Sequence, residues 1–372
     1  MIVGFDAKRI VRNATGLGSY GRTLVNDLIR RNDPGMQYLL YAPDKGRDVL
    51  SNQINIGDTA QFRYPSFNSS ILPFFNSPLW RSYGIVNDLL RDGVQLYHGL
   101  SGELPIGIRK KGIRTVVTIH DLIFLRHPEY YHWIDTKLYA WKFRKTLQEA
   151  DRIIAISERT KQDIMELGNV SEERIRLIYQ SCAPRFSSTF SEAEKQQVRS
   201  YYDLPERFVL NVGTIERRKN LLLAAKALEL LPSDIHLVAV GRQTKYAQEL
   251  PQNNRIHLLS GVPDTDLAII YSLAEAFVYP SRYEGFGIPI IEAIAAGLPV
   301  VACTGSCLEE AGGPDCLYVD PDDVEGMAAA ILSSLSDADG RTARIQACQQ
   351  YIRRFRGTDV ASQVLDVYRE LV

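Results

Sequence analysis

The chain has 372 residues, 45% apolar and 23% charged, with 43 Lys+Arg against 44 Asp+Glu for a net charge of −1. At about 150 residues per domain, this length points to two domains. The composition excludes a disordered, collagen-like or disulfide-stapled chain. The near-zero balance removes the global basic field that nucleic-acid binding relies on.

From the N-terminus, Asp6 interrupts the first apolar run, so residues 1–10 lack signal-peptide architecture. The longest apolar stretch, 287–303, is broken by Glu292, Pro289 and Pro299 and is no membrane span. A cytoplasmic protein is expected, able to rest on the inner membrane surface. Short runs rich in Val, Ile and Tyr at 2–6, 37–42, 95–98, 115–120, 152–157 and 175–179 predict strands. Helical periods at 20–31, 78–91, 135–149 and 158–166 lie between them. Between 62 and 80, six aromatics (Phe62, Tyr64, Phe67, Phe74, Phe75, Trp80) and three prolines share little period. This segment reads as a packed loop, with an acceptor- or membrane-contacting surface as the alternative.

A polar, charged interval at 187–207 separates this series from a second one. Its strands are predicted at 208–213, 235–241, 255–259, 276–280, 298–303 and 317–319. A helix at 221–231 has Asn220 as N-cap and Pro232 as stop, and another opens after Gly287 with Pro289 in its first turn. The tail, 359–372, places Val360, Val364, Val367, Tyr368 and Leu371 on one helical face. Domains are set at 1–186 and 187–356, with 357–372 as a C-terminal helix. The fold class is α/β: two doubly wound, Rossmann-like domains facing across a cleft, with ligands beyond the carboxyl ends of the strands. The five cysteines (182, 303, 307, 316, 348) form no CxxC pair and read as packing thiols in a reducing compartment.

Four motifs carry chemistry. In Ser281-Arg-Tyr-Glu284-Gly-Phe286-Gly287-Ile288-Pro-Ile-Ile-Glu292, a glycine turn leads from a strand into a helix whose first N–H groups suit a phosphate. Carboxylates repel phosphate, so Glu284 and Glu292 are expected to accept hydrogen bonds from sugar or ribose hydroxyls. The alternative is a structural turn in which Glu292 merely favours the helix terminus. Arg217-Arg218-Lys219 follows the second domain's first strand and can neutralise a diphosphate; otherwise it is a solvated charge run. His120-Asp121 ends a first-domain strand, where the imidazole can meet a substrate or be satisfied locally by Asp121. His98 closes another strand, and the remaining histidines read as structural. Gly16-Leu-Gly18-Ser-Tyr-Gly21 fits G-x-G-x-x-G but starts too far after the strand ending at Asp6 for a dinucleotide turn, and no acidic ribose ligand ends the second strand. It reads as a longer glycine loop able to approach a phosphate.

Taken in order, these motifs and Leu317-Tyr-Val-Asp-Pro321 resemble the family-4 retaining glycosyltransferases of GT-B architecture. The resemblance spans most of the chain. It implies that Arg218 and Lys219 hold the donor diphosphate, helped by backbone at Phe286, Gly287 and Ile288 and at Gly16 and Gly18. It further implies that Glu292 binds the ribose, Glu284 the donor sugar, and Ser260, Gly261 and Val262 the nucleobase. His120 would lie against the transferred sugar, and the last helix would cross back to the acceptor-side first domain. His120, Glu284 and Lys219 are then the catalytic set. No metal and no cofactor beyond the nucleotide sugar is expected, and no Asp-x-Asp motif adjoins the phosphate seat. The run from His120 to Tyr131 is similar to that of bacterial mannosyltransferase-like members, which leans the donor toward GDP-mannose over a UDP-hexose. Two departures concern the hinge: Gln180-Ser-Cys-Ala-Pro184 replaces an Asn-Gly-type linker, and Phe355-Arg-Gly357 stands where relatives carry tryptophan.

The activity implied is hexose transfer to a glycan or lipid-linked acceptor in surface polysaccharide synthesis. Fixed cations and helix N–H groups would stabilise charge building on the departing diphosphate. With no obvious nucleophile, front-face displacement is expected, the departing phosphate taking the acceptor's proton. Rivals are a sugar-nucleotide epimerase of the same fold, an NAD-dependent oxidoreductase using Gly16–Gly21, and a non-enzymatic sugar-binding protein.

Overall fold

The computed structural model describes residues 1–65, 79–335, 338–355 and 359–372. The chain divides into two compact units, Met1–Gln180 with Asp359–Val372, and Ser181–Thr358. Each is a doubly wound α/β unit.

The first unit contains β1 (Ile2–Asp6), β2 (Gln37–Tyr41), β3 (Ala60–Arg63), β4 (Leu96–Gly99), β5 (Arg114–Ile119), β6 (Arg152–Ala155) and β7 (Ile175–Leu177). They form one parallel sheet in the order β3-β2-β1-β4-β5-β6-β7. The second unit's strands are β8 (Arg207–Val212), β9 (Ile235–Val240), β10 (Ile256–Leu259), β11 (Ala276–Tyr279), β12 (Val300–Cys303) and β13 (Leu317–Val319). They too are all parallel, ordered β10-β9-β8-β11-β12-β13. Sheets covered by helices on both faces need continuous apolar strands, which is why Val-Val-Ala-Cys of β12 lacks a polar alternate. Strand order reverses between β1 and β4, and again between β8 and β11. At such a switch point the loops diverge and leave a crevice at the strands' carboxyl ends.

The C-terminal helix Val360–Arg369 packs into the first unit. Val360, Ala361, Val364, Leu365, Val367 and Tyr368 join the core that contains Phe5, Leu24, Tyr38 and Leu96. The Tyr368 hydroxyl lies 2.6 Å from His98 Nδ1, and Glu370 meets Arg176 at 2.7 Å.

Several elements differ from the sequence expectation. β3 was unforeseen because Ala-Gln-Phe-Arg is a short edge strand with little apolar content. The interval 187–207 contains the helix Glu192–Tyr201, started by a capping box between Ser191 and Glu194. Asn220 does not cap the following helix: it sits at φ 53° and donates from Nδ2 to the Pro321 carbonyl at 2.9 Å. That helix runs Leu221–Ala227 and tightens into a 3₁₀ turn, Leu228–Leu230. Of the aromatic segment, Phe67, Phe74 and Phe75 lie outside the described residues. Phe62 ends in the β3 edge, and Trp80 is buried, donating from Nε1 to Asp88 at 2.8 Å. Among the described residues, no helix is long and apolar enough to cross a membrane.

Candidate functional site

In the second unit the site is built where β8 and β11 part. After β8 the chain makes the 3₁₀ turn Arg217–Lys219. After β11 it runs through Glu284 into the helix Ile288–Ala295, entered through Gly287 at φ 140°. A Cβ there would lie 3.0 Å from Ala311 Cβ as well as adopt a backbone shape that L-residues avoid, so the turn calls for glycine. Beneath it, the buried Cys307 thiol donates to the Phe286 carbonyl at 2.6 Å and the Glu284 carbonyl at 3.1 Å, so this cysteine holds the turn in place.

Arg218, Lys219 and Glu284 are brought together. Glu284 Oε1 lies 2.6 Å from Lys219 Nζ, and its Oε2 lies 2.8 Å from Arg218 Nη1. The buried Tyr279 hydroxyl joins them, 2.6 Å from Lys219 Nζ and 3.3 Å from Glu284 Oε1. Arg218 also donates to the Tyr283 carbonyl at 2.5 Å and to Glu216 at 2.7 Å. Burial alone would raise the pKa of Glu284, but Lys219 and Arg218 outweigh it and hold it at about 2. For Lys219, burial pulls down, yet Glu284 and Tyr279 raise its pKa above the ordinary lysine value. Both cations are therefore charged at neutral pH. Arg217 lies apart, exposed and paired with Glu249 at 2.6 Å.

Glu292 sits on the second turn of the helix and takes a hydrogen bond from the buried Tyr271 hydroxyl at 3.0 Å. Burial raises its pKa to about 7 against that donated bond, which lowers it. Unlike Glu284, this carboxyl is only partly ionised at neutral pH. Ser260, Gly261 and Val262 follow β10. Ser260 and Gly261 are exposed, and the Ser260 hydroxyl donates to the Gly241 carbonyl, beyond β9, at 2.8 Å.

In the first unit, His120 follows β5 and is buried, but Asp121 does not satisfy it. Its Nε2 lies 2.9 Å from the Leu100 carbonyl and its Nδ1 lies 3.1 Å from Gln180 Nε2. A carbonyl only accepts, so Nε2 carries the proton and Nδ1 accepts from the Gln180 amide. Burial lowers the pKa to about 4, with the Leu100 bond opposing and Arg9 adding to the drop, so the ring is neutral. Tyr20 stands edge-on to it, ring centroids 4.8 Å apart.

The glycine motif is not a loop. Gly16 begins the helix Gly16–Arg31, after a helical turn, Lys8–Arg12, has followed β1. Gly16 faces open space, whereas a Cβ on Gly18 would lie 1.8 Å from the Asn13 carbonyl oxygen. Gly18 thus serves the close approach of that carbonyl, which also receives Arg22 Nη1 at 2.8 Å. The expectation of a free glycine loop missed that polar Thr-Gly-Leu-Gly can still be the first turn of a helix packed on its neighbour.

Sequence reasoning missed Tyr279, Tyr271, Gln180 and Cys307. Tyr279 fell inside a predicted strand and Tyr271 carried no signal, while Gln180 stood out only as part of the hinge departure and Cys307 only as a packing thiol. Among the described residues, no cluster of three or more His, Cys, Asp or Glu has metal-binding geometry.

Residues 14–181 match the family model for glycosyltransferase family 4, and residues 192–351 that for glycosyl transferases group 1. The chain is similar to the O-antigen chain mannosyltransferase B of Escherichia coli, 31% identical over 288 residues that make up 74% of each protein. To the serotype-specific mannosyltransferase WbdA of Escherichia coli it is 27% identical over 66% of this chain and 32% of that longer protein. In fold it is similar to the crystal structure of Anabaena HepE in complex with UDP and glucose, with TM-score 0.75, 17% identity, and coverage of 100% and 99% of the two chains.

Proposed function

We propose, because this chain belongs to the family-4 glycosyltransferases of GT-B fold, that it transfers a hexose, mannose being favoured, from a nucleotide-diphosphate sugar to a glycan or lipid-linked acceptor in surface polysaccharide synthesis. That it is a transferase follows from its family. The donor and acceptor are inferred from the E. coli mannosyltransferases it is similar to and from the UDP and glucose held by HepE. Mannose rests on the first of these, and GDP as its carrier on the resemblance of the run from His120 to Tyr131 to bacterial mannosyltransferase-like members. The reaction is proposed to be retaining and to need no metal, and the enzyme to work in the cytoplasm, peripherally at the membrane.

The observation that carries the reading is the largely buried Lys219–Glu284–Arg218 cluster at the switch point. Two permanent cations at the carboxyl end of β8 are what a diphosphate requires, and Glu284 holds them there without ligand. Donor phosphates compete with Glu284 for the same cations, leaving its carboxylate to accept from the sugar hydroxyls. Glu292 would take the ribose hydroxyls, Ser260, Gly261 and Val262 would flank the base, and the backbone at Phe286, Gly287 and Ile288 would add N–H donors. Gly16 and Gly18 would contribute from the first turn of their helix. His120, neutral and anchored through both nitrogens, is proposed to meet the sugar as a fixed dipolar wall rather than as a general base.

In the proposed step the anomeric C1–O bond to the β-phosphate breaks, and the acceptor oxygen bonds to C1 on the same face. Its proton passes to the departing phosphate oxygen. Charge growing on that oxygen strengthens its attraction to Lys219 and Arg218 as the transition state forms, which lowers the barrier.

A panel of nucleotide sugars tests this, read by released nucleotide and by protection from thermal unfolding. GDP-mannose should protect best, and transfer should require an acceptor. Turnover without acceptor would indicate an epimerase, and protection by NAD alone an oxidoreductase. Protection by free sugars without nucleotide would indicate a binding protein.

A further inference from the structure

The helix Trp133–Glu149 is the least conventional surface of the first unit. Its buried side, Phe143, Thr146 and Leu147, joins the core. At 3.6 residues per turn, its opposite side gathers Trp133, Ile134, Lys137, Leu138, Trp141, Arg144 and Lys145 into an arc of about 140°. Outward faces of surface helices are usually polar, yet here Trp133 is 62% exposed, Ile134 53%, Leu138 47% and Trp141 42%. No carboxylate lies within the arc.

The cations there are available. Lys137 lies over the Trp133 ring at 4.8 Å, and Lys145 donates to the neutral Gln148 amide at 3.2 Å. Among the described residues, no carboxylate pairs with Lys137, Arg144 or Lys145. At the helix's carboxyl end the positive surface continues. Arg109, Lys110 and Lys145 line one hollow together with Glu149, and Arg109, Arg144 and Arg174 an adjoining one, with Arg109 also paired to Asp151 at 3.4 Å. A chain with net charge −1 has therefore concentrated cations around exposed tryptophans.

We propose that this face lies on a bilayer bearing anionic lipid. Trp133, Ile134, Leu138 and Trp141 enter the headgroup boundary, Lys137, Arg144 and Lys145 reach lipid phosphates, and the Arg109–Arg144–Arg174 hollow takes a headgroup. Indole rings favour the interfacial layer, and long cationic side chains can bury their stems while their heads stay wet. The absence of carboxylates from the helix arc itself matches a negative surface. A protein partner with its own mixed charges would leave these cations unanswered. The proposal deepens the reading of an enzyme working peripherally at a membrane. Its test reads vesicle binding, so its failure would leave the transferase assignment standing.

The chain has three tryptophans, and the third, Trp80, is buried, so intrinsic fluorescence reports on this face. Vesicles of phosphatidylcholine with one-third phosphatidylglycerol should co-float the full-length protein and shift its emission to the blue. Pure phosphatidylcholine should do so much less, and raising salt from about 0.1 to 1 M, which shortens screening from about 10 to 3 Å, should release it. Near an anionic surface each cation is worth roughly fivefold in partitioning. Combining Lys137→Gln, Arg144→Gln and Lys145→Gln should then weaken binding roughly a hundredfold. Trp133→Ala with Trp141→Ala, which also removes the fluorescent reporters of this face, should abolish flotation while far-UV circular dichroism is unchanged. Failure to float on anionic vesicles at low salt, or binding indifferent to both variant sets, overturns the proposal. So does a concentration-dependent dimer lost on Trp133→Ala, in a protein that does not float: the face would then be covered by a second copy.

Discussion

Glu284→Gln removes a charge but almost no volume, which makes it the cleanest probe of the buried cluster. In the folded protein Glu284 is held at about 2 instead of its ordinary 4.5 by Lys219 and Arg218 against the cost of burial. That difference is equivalent to about 3 kcal/mol in favour of the ionised folded state. Breaking one partner out of a buried ion pair costs about 3–5 kcal/mol in general, which agrees. Because the folded pKa lies below the unfolded one, the stabilisation is full above about pH 4.5. It is lost as pH falls toward 2. Glutamine mimics the protonated acid, so wild type and Glu284→Gln should differ by about 3 kcal/mol at pH 7, by roughly half of that at pH 3, and converge below about pH 2. All three tryptophans (80, 133, 141) belong to the first unit. In urea melts their fluorescence serves as an internal control, while circular dichroism also follows the second unit. Stability curves for the two proteins that stay parallel from pH 7 to 3 would refute the assignment of Glu284 as the counter-ion of both cations.

Lys219→Ala should keep nucleotide-sugar turnover from recovering even at saturating donor. Removing one donor aimed at developing charge costs about 2.7–4 kcal/mol, a fall of about 10²–10³ in kcat measured by released nucleotide. Gly18→Ala should destabilise the first unit, because its Cβ would meet the Asn13 carbonyl at 1.8 Å. Gly16→Ala, facing open space inside the helix, should instead stabilise by about 0.5–1 kcal/mol in tryptophan-monitored melts. Glu292, raised to about 7, is partly protonated at neutral pH in the free protein. If ribose hydroxyls bind its ionised form, nucleotide affinity should rise from pH 6 to 8 with proton release. Calorimetry in buffers of different ionisation enthalpy should show that release, and Glu292→Gln should lack it.

Apolar runs at strand length, punctuated by helical periods, were enough to place twelve of the thirteen strands among the described residues to within about two residues at most edges. A parallel strand buried on both faces must be apolar throughout, so its own residues announce it. The basic triplet and the Gly287 turn were legible for a similar reason, since each directly follows such a run. β3 and the helix Glu192–Tyr201 escaped because edge strands and surface helices need little apolar content. Which groups meet at the site is another matter. Tyr279 reaches Lys219 across 60 positions, and Gln180 reaches His120 across another 60. Those meetings depend on strand order, with β8 beside β11 and not β10 in the second sheet, and β5, β6 and β7 in succession in the first. Local periodicity contains no information on order. The sequence by itself therefore determined the layers and the residue types at the strand ends. Only the tertiary structure decided that Glu284 balances two cations, that the His120 ring is neutral with both nitrogens engaged, and that Gly18 makes room for a carbonyl.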